Sequence, residues 1–336
     1  MSGSSSVTTK RLRNEILRSV SRSFYLSIRL LPEKLRDPIA LAYLLARATD
    51  TIADTAEISA HVRMEELARL ATLIQGDAAT GAQTSFASFV SLQRNEAERQ
   101  LIAELPRGLA WLDSLPPADR ADLREVLTKI NEGQTLDVQR FANPVQITAL
   151  ATAADLDRYT YLVAGCVGEF WTKVCGRHLS GFSDKPREEM LSLGVEYGKG
   201  LQLTNILRDA GADLRAGRCY LPADELRSLG TDPGDVLAQP QRVEPLLRRW
   251  RERAEQGIAA GLEYACAIKS CRVRLATVIP ALIGARTLAA LRSAGPSAFI
   301  HKAKVSRPEV RRIIWQSTRT LAAPRSLRAL FFRLSS

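Results

Sequence analysis

Residues 197–222, YGKGLQLTNILRDAGADLRAGRCYLP, constrain this chain more than any other stretch, because Gln202, Asn205, Asp209 and Asp213 recur at spacings of three, four and four. At about 100° per residue such positions share one face of a helix. Leu201, Leu203, Ile206 and Leu207 turn the other faces into protein, which argues against an ordinary solvated stripe. Two carboxylates four residues apart on a helix repel by roughly 0.2 to 0.5 kcal/mol. A cation between them reverses that sign, and oxygen-only ligands on a rigid element suit Mg²⁺ that keeps waters and shares substrate phosphates.

One Asp-x-x-x-Asp pair is a weak signal, since most such charges are solvated. This chain has two. Asp50 and Asp54 repeat the spacing, preceded by Tyr43 and Arg47 on the same helical face. Two acidic faces on apolar helices predict a pair of helices that point carboxylates at each other across a cavity, as metal sites inside helical bundles are built.

A formal charge of +11 and a pI near 9.7 call for an anionic partner. No basic run is interleaved with aromatics, and no nucleic-acid fold signature occurs, so nucleic acid is set aside and diphosphates and acidic lipid remain. The five cysteines are odd in number and lack a C-x-x-C pair, so neither a disulfide framework nor a zinc site is indicated, and a reducing cytoplasm fits. His61, His178 and His301 are far apart and read as surface or satisfied residues. The Ser-rich start has no apolar core behind it, so no signal peptide is expected. Apolar stretches 161–174 and 275–291 are broken by Glu169, Lys173, Pro280 and Arg286, so no transmembrane helix is expected either.

Helical periodicity runs through the chain without strand alternation, which predicts an all-α fold with no sheet. Residues 1–10 read as a loose tail, 11–300 as a single all-α catalytic domain and 301–336 as a basic C-terminal segment. Ser21, Arg22 and Ser23 fall within or at a break in the first helix, and residues 76–85 form a small-residue loop. Asp137 reads as a solvated aspartate or as a third acidic contributor. Gly165 and Gly168 each cost a helix about 1 kcal/mol relative to Ala, which signals close approach of a ligand or a neighbouring helix. The terminal SLRALFFRLSS mixes arginines with Leu327, Leu330, Phe331 and Phe332, and suits either an interfacial helix on an anionic membrane or a helix on its own domain.

Ser21-Arg22-Ser23-Phe24-Tyr25, Asp50-Thr51-Ile52-Ala53-Asp54, Tyr159 with Val163-Ala164-Gly165-Cys166-Val167-Gly168, and Gln202 through Asp209 with Tyr220-Leu221-Pro222 together resemble the squalene/phytoene synthase family of head-to-head isoprenyl diphosphate coupling enzymes. The resemblance implies an isoprenoid-synthase-type helical bundle around a deep central cavity. It implies Mg²⁺ held by Asp50, Asp54, Asp209 and Asp213, with Arg47 among the catalytic groups and Tyr159 assisting proton removal. Ser21, Arg22, Phe24, Tyr43, Gln202, Asn205, Arg208 and Arg218 are then the groups that bind farnesyl diphosphate. Phe24, Tyr25, Phe170 and Trp171 would line the pocket, and Ala164, Gly165 and Gly168 would leave a groove for a prenyl chain.

Arg47-Ala48-Thr49-Asp50-Thr51-Ile52 is more similar to squalene synthases than to phytoene synthases, and Lys302 to Arg307 resembles the basic stretch associated with NADPH there. The implied reaction joins two farnesyl diphosphates through presqualene diphosphate and reduces the product to squalene. Lys304 and Arg307 would meet the dinucleotide, since no Rossmann glycine fingerprint is present. Thr55 and Ala212 stand where many relatives carry acids. The alternatives are a phytoene or dehydrosqualene synthase without reductant, and a non-catalytic membrane-associated assembly protein. The cysteine usage and the basic amphipathic C-terminus together lead us to expect a cytoplasmic protein, peripheral at the membrane face, with no stable protein partner.

Overall fold

The computed structural model describes residues 9–76, 86–143, 146–300, 303–320 and 323–336, with the backbone alone for Arg22, Ser23, Phe24, Leu26 and Ser88. Of the loose tail expected over residues 1–10, residues 1–8 lie outside the described residues and Thr9 and Lys10 are helical instead; most of the loop expected over 76–85 also lies outside them. The chain divides into two compact units, Met1–Arg140 with Lys173–His178, and Phe141–Thr172 with Leu179–Ser336.

In the first unit a π-helical turn, Leu12–Ile16, runs into α1, Leu17–Val20. Ser21, at φ −143° and ψ 87°, interrupts the helix before α2, Arg22–Leu30, so the break expected at this motif is present. Leu31 is extended, as a residue before proline is disposed to be, and α3, Glu33–Asp54, restarts after Pro32. Leu35, Ile39, Leu45, Ala48 and Ile52 on α3 are buried, which leaves Tyr43, Arg47 and Asp50 as a half-buried polar stripe. The helices α4 (Ala60–Gln75), α5 (Ala87–Leu92), α6 (Glu96–Ala103), α7 (Leu105–Ser114) and α8 (Pro117–Arg140) complete the unit. α8 packs on α3 and α4.

The second unit contains β1 (Thr148–Leu150), α9 (Ala153–Thr160), a π-helical turn (Tyr161–Gly165) and α10 (Cys166–His178), whose Lys173–His178 end belongs to the first unit. There follow α11 (Arg187–Arg215), β2 (Arg218–Pro222), α12 (Ala223–Ser228), α13 (Glu244–Ala267), α14 (Cys271–Ala294), α15 (Arg307–Thr320) and α16 (Pro324–Ser335). α11 and α13 form the main helix pair, with Leu203, Ile206, Trp250, Ile258, Leu262 and Leu282 in the core.

The fold is all-α, but the expectation of no sheet needs a correction. β1 and β2 form a two-stranded parallel ladder, pairing Thr148 with Arg218 and Ala149 with Cys219, then slipping register to pair Leu150 with Pro222. Strands this short carry too few residues for alternation to show, and parallel pairing joins segments far apart in sequence.

Three apolar segments are settled by packing. α14 runs through Pro280, whose cost inside a helix of about 3 kcal/mol is offset by packing against α11 and α13. Cys271–Phe299 is long and apolar enough to cross a membrane, but 78% of that window is buried in the protein. The C-terminal apolar face is also spent internally. Leu327, Leu330, Phe331 and Leu334 are buried with α16 against α14, and Arg328 makes a bidentate pair with Glu263 at 3.0 and 2.8 Å.

Gly168 leaves no groove for a prenyl chain, and Gly165 faces the side chains of Lys199, Tyr161 and Val195. A Cβ on Gly168 would lie 2.0 Å from the Gly194 carbonyl oxygen, and one on Gly198 would lie 2.3 Å from that of Ala164. The backbone of α11 already occupies that space.

Candidate active site

The polar stripe of α3 is a connected network. Ser21 leaves the N-cap bond of α2 unmade and its side chain hydrogen-bonds Tyr43, whose hydroxyl pKa is raised by burial. Arg47 donates through Nη1 to Asp50 Oδ2 and through Nη2 to Glu98 Oε1, the latter at 2.5 Å. Gln134 Nε2 on α8 donates to Asp50 Oδ1 at 3.2 Å. Burial works against the Arg47 charge, but Asp50 and Glu98 outweigh it and raise its pKa.

Asp50 keeps 33% of its side-chain surface open, yet enough protein surrounds it that burial, followed by the Asp54 charge, pushes its pKa up to about 6 against the opposing pull of Arg47. Asp54 is exposed on the last residue of α3, where a carboxylate meets the negative end of the helix dipole. Both features favour a bound cation. Asp137 is buried rather than solvated, at 8% exposure, one turn from Gln134 on the same helix. Thr55, where relatives place an acid, is buried and donates to the Thr51 carbonyl. The side chains of Arg22 and Phe24 lie outside those described.

In the second unit Gln202, Asn205, Asp209 and Asp213 run along α11 as the spacing required. Asp209 accepts from Arg208 at 2.5 and 3.3 Å, and Asp213 accepts from Arg218 Nη2 at 3.0 Å. Gly217, at φ 81°, makes the tight exit from α11 that brings Arg218 back to Asp213, a conformation most residues resist.

Tyr159 is placed by local and non-local structure together. Thr152 and Asp155 form a capping box that starts α9, and Tyr159 falls in its last turn. Its ring stacks on Tyr220 of β2 at 5.1 Å and 24°, and Phe141 meets Tyr220 edge-on at 5.3 Å. The π-helical turn that follows resets the register between Tyr159 and the glycines, and such turns are frequent at functional sites. Phe170 and Trp171 also fall in this unit, with Phe170 buried and the Trp171 Nε1 donor buried without a partner among the described residues.

Among the described residues, no three His, Cys, Asp or Glu side chains form a ready metal cluster. Pairs of carboxylates still fit Mg²⁺, which characteristically takes one or two protein carboxylates and completes its shell with water and substrate phosphate. Arg307 opens α15 and Lys304 lies three residues before it; both are exposed, and neither side chain makes a hydrogen bond or ion pair among the described residues. Lys302 and His301 lie outside the described residues. His178 is satisfied by Asp119 at 2.9 Å, and His61 pairs with Glu65.

Sequence reasoning missed Glu98 and Gln134. The N-x-x-E signal at Asn95 to Glu98 was legible as a helix cap, but not the reach of Glu98 to Arg47.

A sequence model of the family described as Squalene/phytoene synthase matches residues 17–311. The chain belongs to that family. Over 231 residues it is 32% identical to a phytoene synthase of Thermus thermophilus, covering 68% of this chain and 64% of that one. Over 214 residues it is 30% identical to the squalene synthase ERG9 of Candida albicans, covering 62% and 44%. The chain spans 28%, 38% and 64% of the length of the first curated relatives it matches. Its fold is that of TcSQS, solved with the ligand E5700, at a TM-score of 0.78 and 24% identity over 97% of this chain and 91% of that one. Family membership accounts for the helical architecture, and relatives named for both squalene and phytoene synthesis leave substrate and reductant to be argued from the residues.

Proposed function

We propose that the chain is a squalene synthase, condensing two farnesyl diphosphates head to head through presqualene diphosphate and reducing the product. The observation that carries the diphosphate chemistry is the pairing of Arg47 with Asp50, Arg208 with Asp209 and Arg218 with Asp213. Each motif carboxylate so paired sits beside a guanidinium suited to phosphate. Mg²⁺, when held by Asp50, Asp54, Asp209 and Asp213, would neutralise the departing diphosphate. Arg47, Arg208 and Arg218, which the carboxylates hold beside them, would then be the groups to bind diphosphate oxygens. Tyr43, Ser21, Gln202 and Asn205 supply neutral hydrogen bonds to the same groups.

After one diphosphate leaves, the allylic carbon bonds to the double bond of the second substrate, and loss of a proton closes the cyclopropane. The Tyr159 hydroxyl, oriented by the stack on Tyr220, assists removal of that proton. Tyr159→Phe is expected to slow formation of the cyclopropyl product by about 10²-fold, within the range of general acid–base contributions, with substrate affinity little changed. Single-turnover assays check this, and an unchanged first step returns Tyr159 to a structural role.

NADPH, when bound, would supply hydride for the second half-reaction, and the unpaired Lys304 and Arg307 are the groups proposed to hold its phosphates. Trp315 and Phe332, 55% and 65% exposed beside basic residues, are the side chains proposed to meet an anionic membrane that takes up the hydrocarbon product. Incubation with farnesyl diphosphate and Mg²⁺, with and without NADPH, tests the reading. Squalene is expected only with NADPH. One unreduced product under both conditions replaces this reading with a phytoene or dehydrosqualene synthase.

A further inference from the structure

We infer that Glu98 is a positioning residue that holds Arg47 in place when Asp50 turns to a cation, so that the guanidinium can receive a metal-bound diphosphate. The inference rests on the diphosphate chemistry proposed above and assigns a role to a residue outside both aspartate motifs.

The geometry at α6 points to it. Asn95 caps this helix, its Oδ1 accepting from the backbone N–H of Ala97 at 3.0 Å and of Glu98 at 3.5 Å. A glutamate at this third position ordinarily reaches back to the cap residue and closes a capping box. Glu98 instead extends to Arg47 Nη2 at 2.5 Å, across 51 residues of sequence. Its side chain is 20% exposed, less than the 33% of Asp50, so this pair is the better shielded arm of the fork.

Both terminal nitrogens of Arg47 are engaged by carboxylates. Nη1 binds Asp50, Nη2 binds Glu98, and Nε is buried without a partner among the described residues. Asp50 does not depend on Arg47 alone, since Gln134 also donates to its other oxygen, and it is the more exposed of the two carboxylates. Asp50 is thus the exchangeable carboxylate and Glu98 the fixed one. When Asp50 leaves for a cation, Nη1 becomes free while Nη2 stays anchored, and the guanidinium keeps its orientation with a donor exposed. Without Glu98 the same event would leave a long, unanchored side chain, and ordering it would subtract from the affinity for diphosphate.

Magnesium with inorganic pyrophosphate is the probe, titrated by calorimetry into wild-type protein, Glu98→Gln, Arg47→Ala and the double variant, with thermal melting recorded for each. Glu98→Gln is expected to weaken binding about tenfold, the scale of one charge-assisted bond, and to raise KM for farnesyl diphosphate by a similar factor with kcat changed far less. In the Arg47→Ala background the same change is expected to have no further effect, because Glu98 acts through Arg47. Unchanged pyrophosphate affinity in Glu98→Gln, or a loss that adds to that of Arg47→Ala, overturns the inference. A lowered melting temperature with affinity intact also overturns it, by making the contact a purely structural ion pair. Wild-type protein that does not bind magnesium pyrophosphate overturns the functional reading itself, and the role of Glu98 with it.

Discussion

Asp50→Asn is expected to lower turnover by a factor on the order of 10² to 10³ and to leave the fold intact. The loss follows from removing a metal carboxylate, since the charge stabilisation a cation gives a leaving diphosphate amounts to several kcal/mol and each 1.36 kcal/mol is a decade in rate. The fold survives because the charge at Asp50 is a burden on it. Burial and the Asp54 charge push the Asp50 pKa up to about 6, above the ordinary carboxylate value. A raised folded pKa means the folded state holds the proton more tightly, so this group favours folding below the unfolded value and loses that contribution as pH rises through about 6. At pH 8 a neutral isostere is therefore tolerated, and Arg47 still has Glu98 as a partner. Binding of Mg²⁺ to the substrate-free protein is expected to weaken as pH drops through about 6, because the proton then competes for the Asp50 carboxylate. Steady-state rates and thermal melts at pH 8 check both halves, and wild-type turnover in Asp50→Asn removes the metal assignment.

Gly168→Ala is expected to destabilise the protein by about 3 kcal/mol, although alanine is intrinsically better in a helix by about 1 kcal/mol. The added Cβ would lie 2.0 Å from the Gly194 carbonyl oxygen and 2.3 Å from its carbon, and both belong to the backbone of α11. A flexible side chain could move aside; a helix backbone packed on α13 cannot, so the steric term exceeds the propensity gain. Gly176 lies on the same helix, α10, and a Cβ added there would meet nothing within 4 Å. Gly176→Ala is accordingly expected to gain up to about 1 kcal/mol. Denaturant unfolding of the two variants gives opposite signs if close helix packing is the reason for Gly168. Destabilisation of both to the same degree would instead make α10 sensitive to any added methyl group.

The parts of the site legible in the sequence are those that depend on neighbours within a turn. Helical spacing alone put Tyr43, Arg47, Asp50 and Asp54 on one face, and Gln202, Asn205, Asp209 and Asp213 on another, because side chains three and four apart on a helix share a surface whatever surrounds them. The break at Ser21 and the restart after Pro32 were legible for the same reason, since φ/ψ restrictions act between adjacent residues. What spans a long stretch of chain carries no such periodic mark. The reach of Glu98 to Arg47 across 51 residues and of Gln134 to Asp50 across 84 were decided by the packing of α6 and α8 around α3. The same holds for the parallel pairing of β1 with β2 and the stack of Tyr159 on Tyr220. An apolar stripe, or a glycine in a helix, says that something must approach it, without saying what. For Gly168 the tertiary structure supplies the backbone of α11 rather than a prenyl chain, and for Leu327 and Leu330 it supplies the protein's own core rather than lipid, because burial rewards apolar contact without regard to which apolar surface provides it.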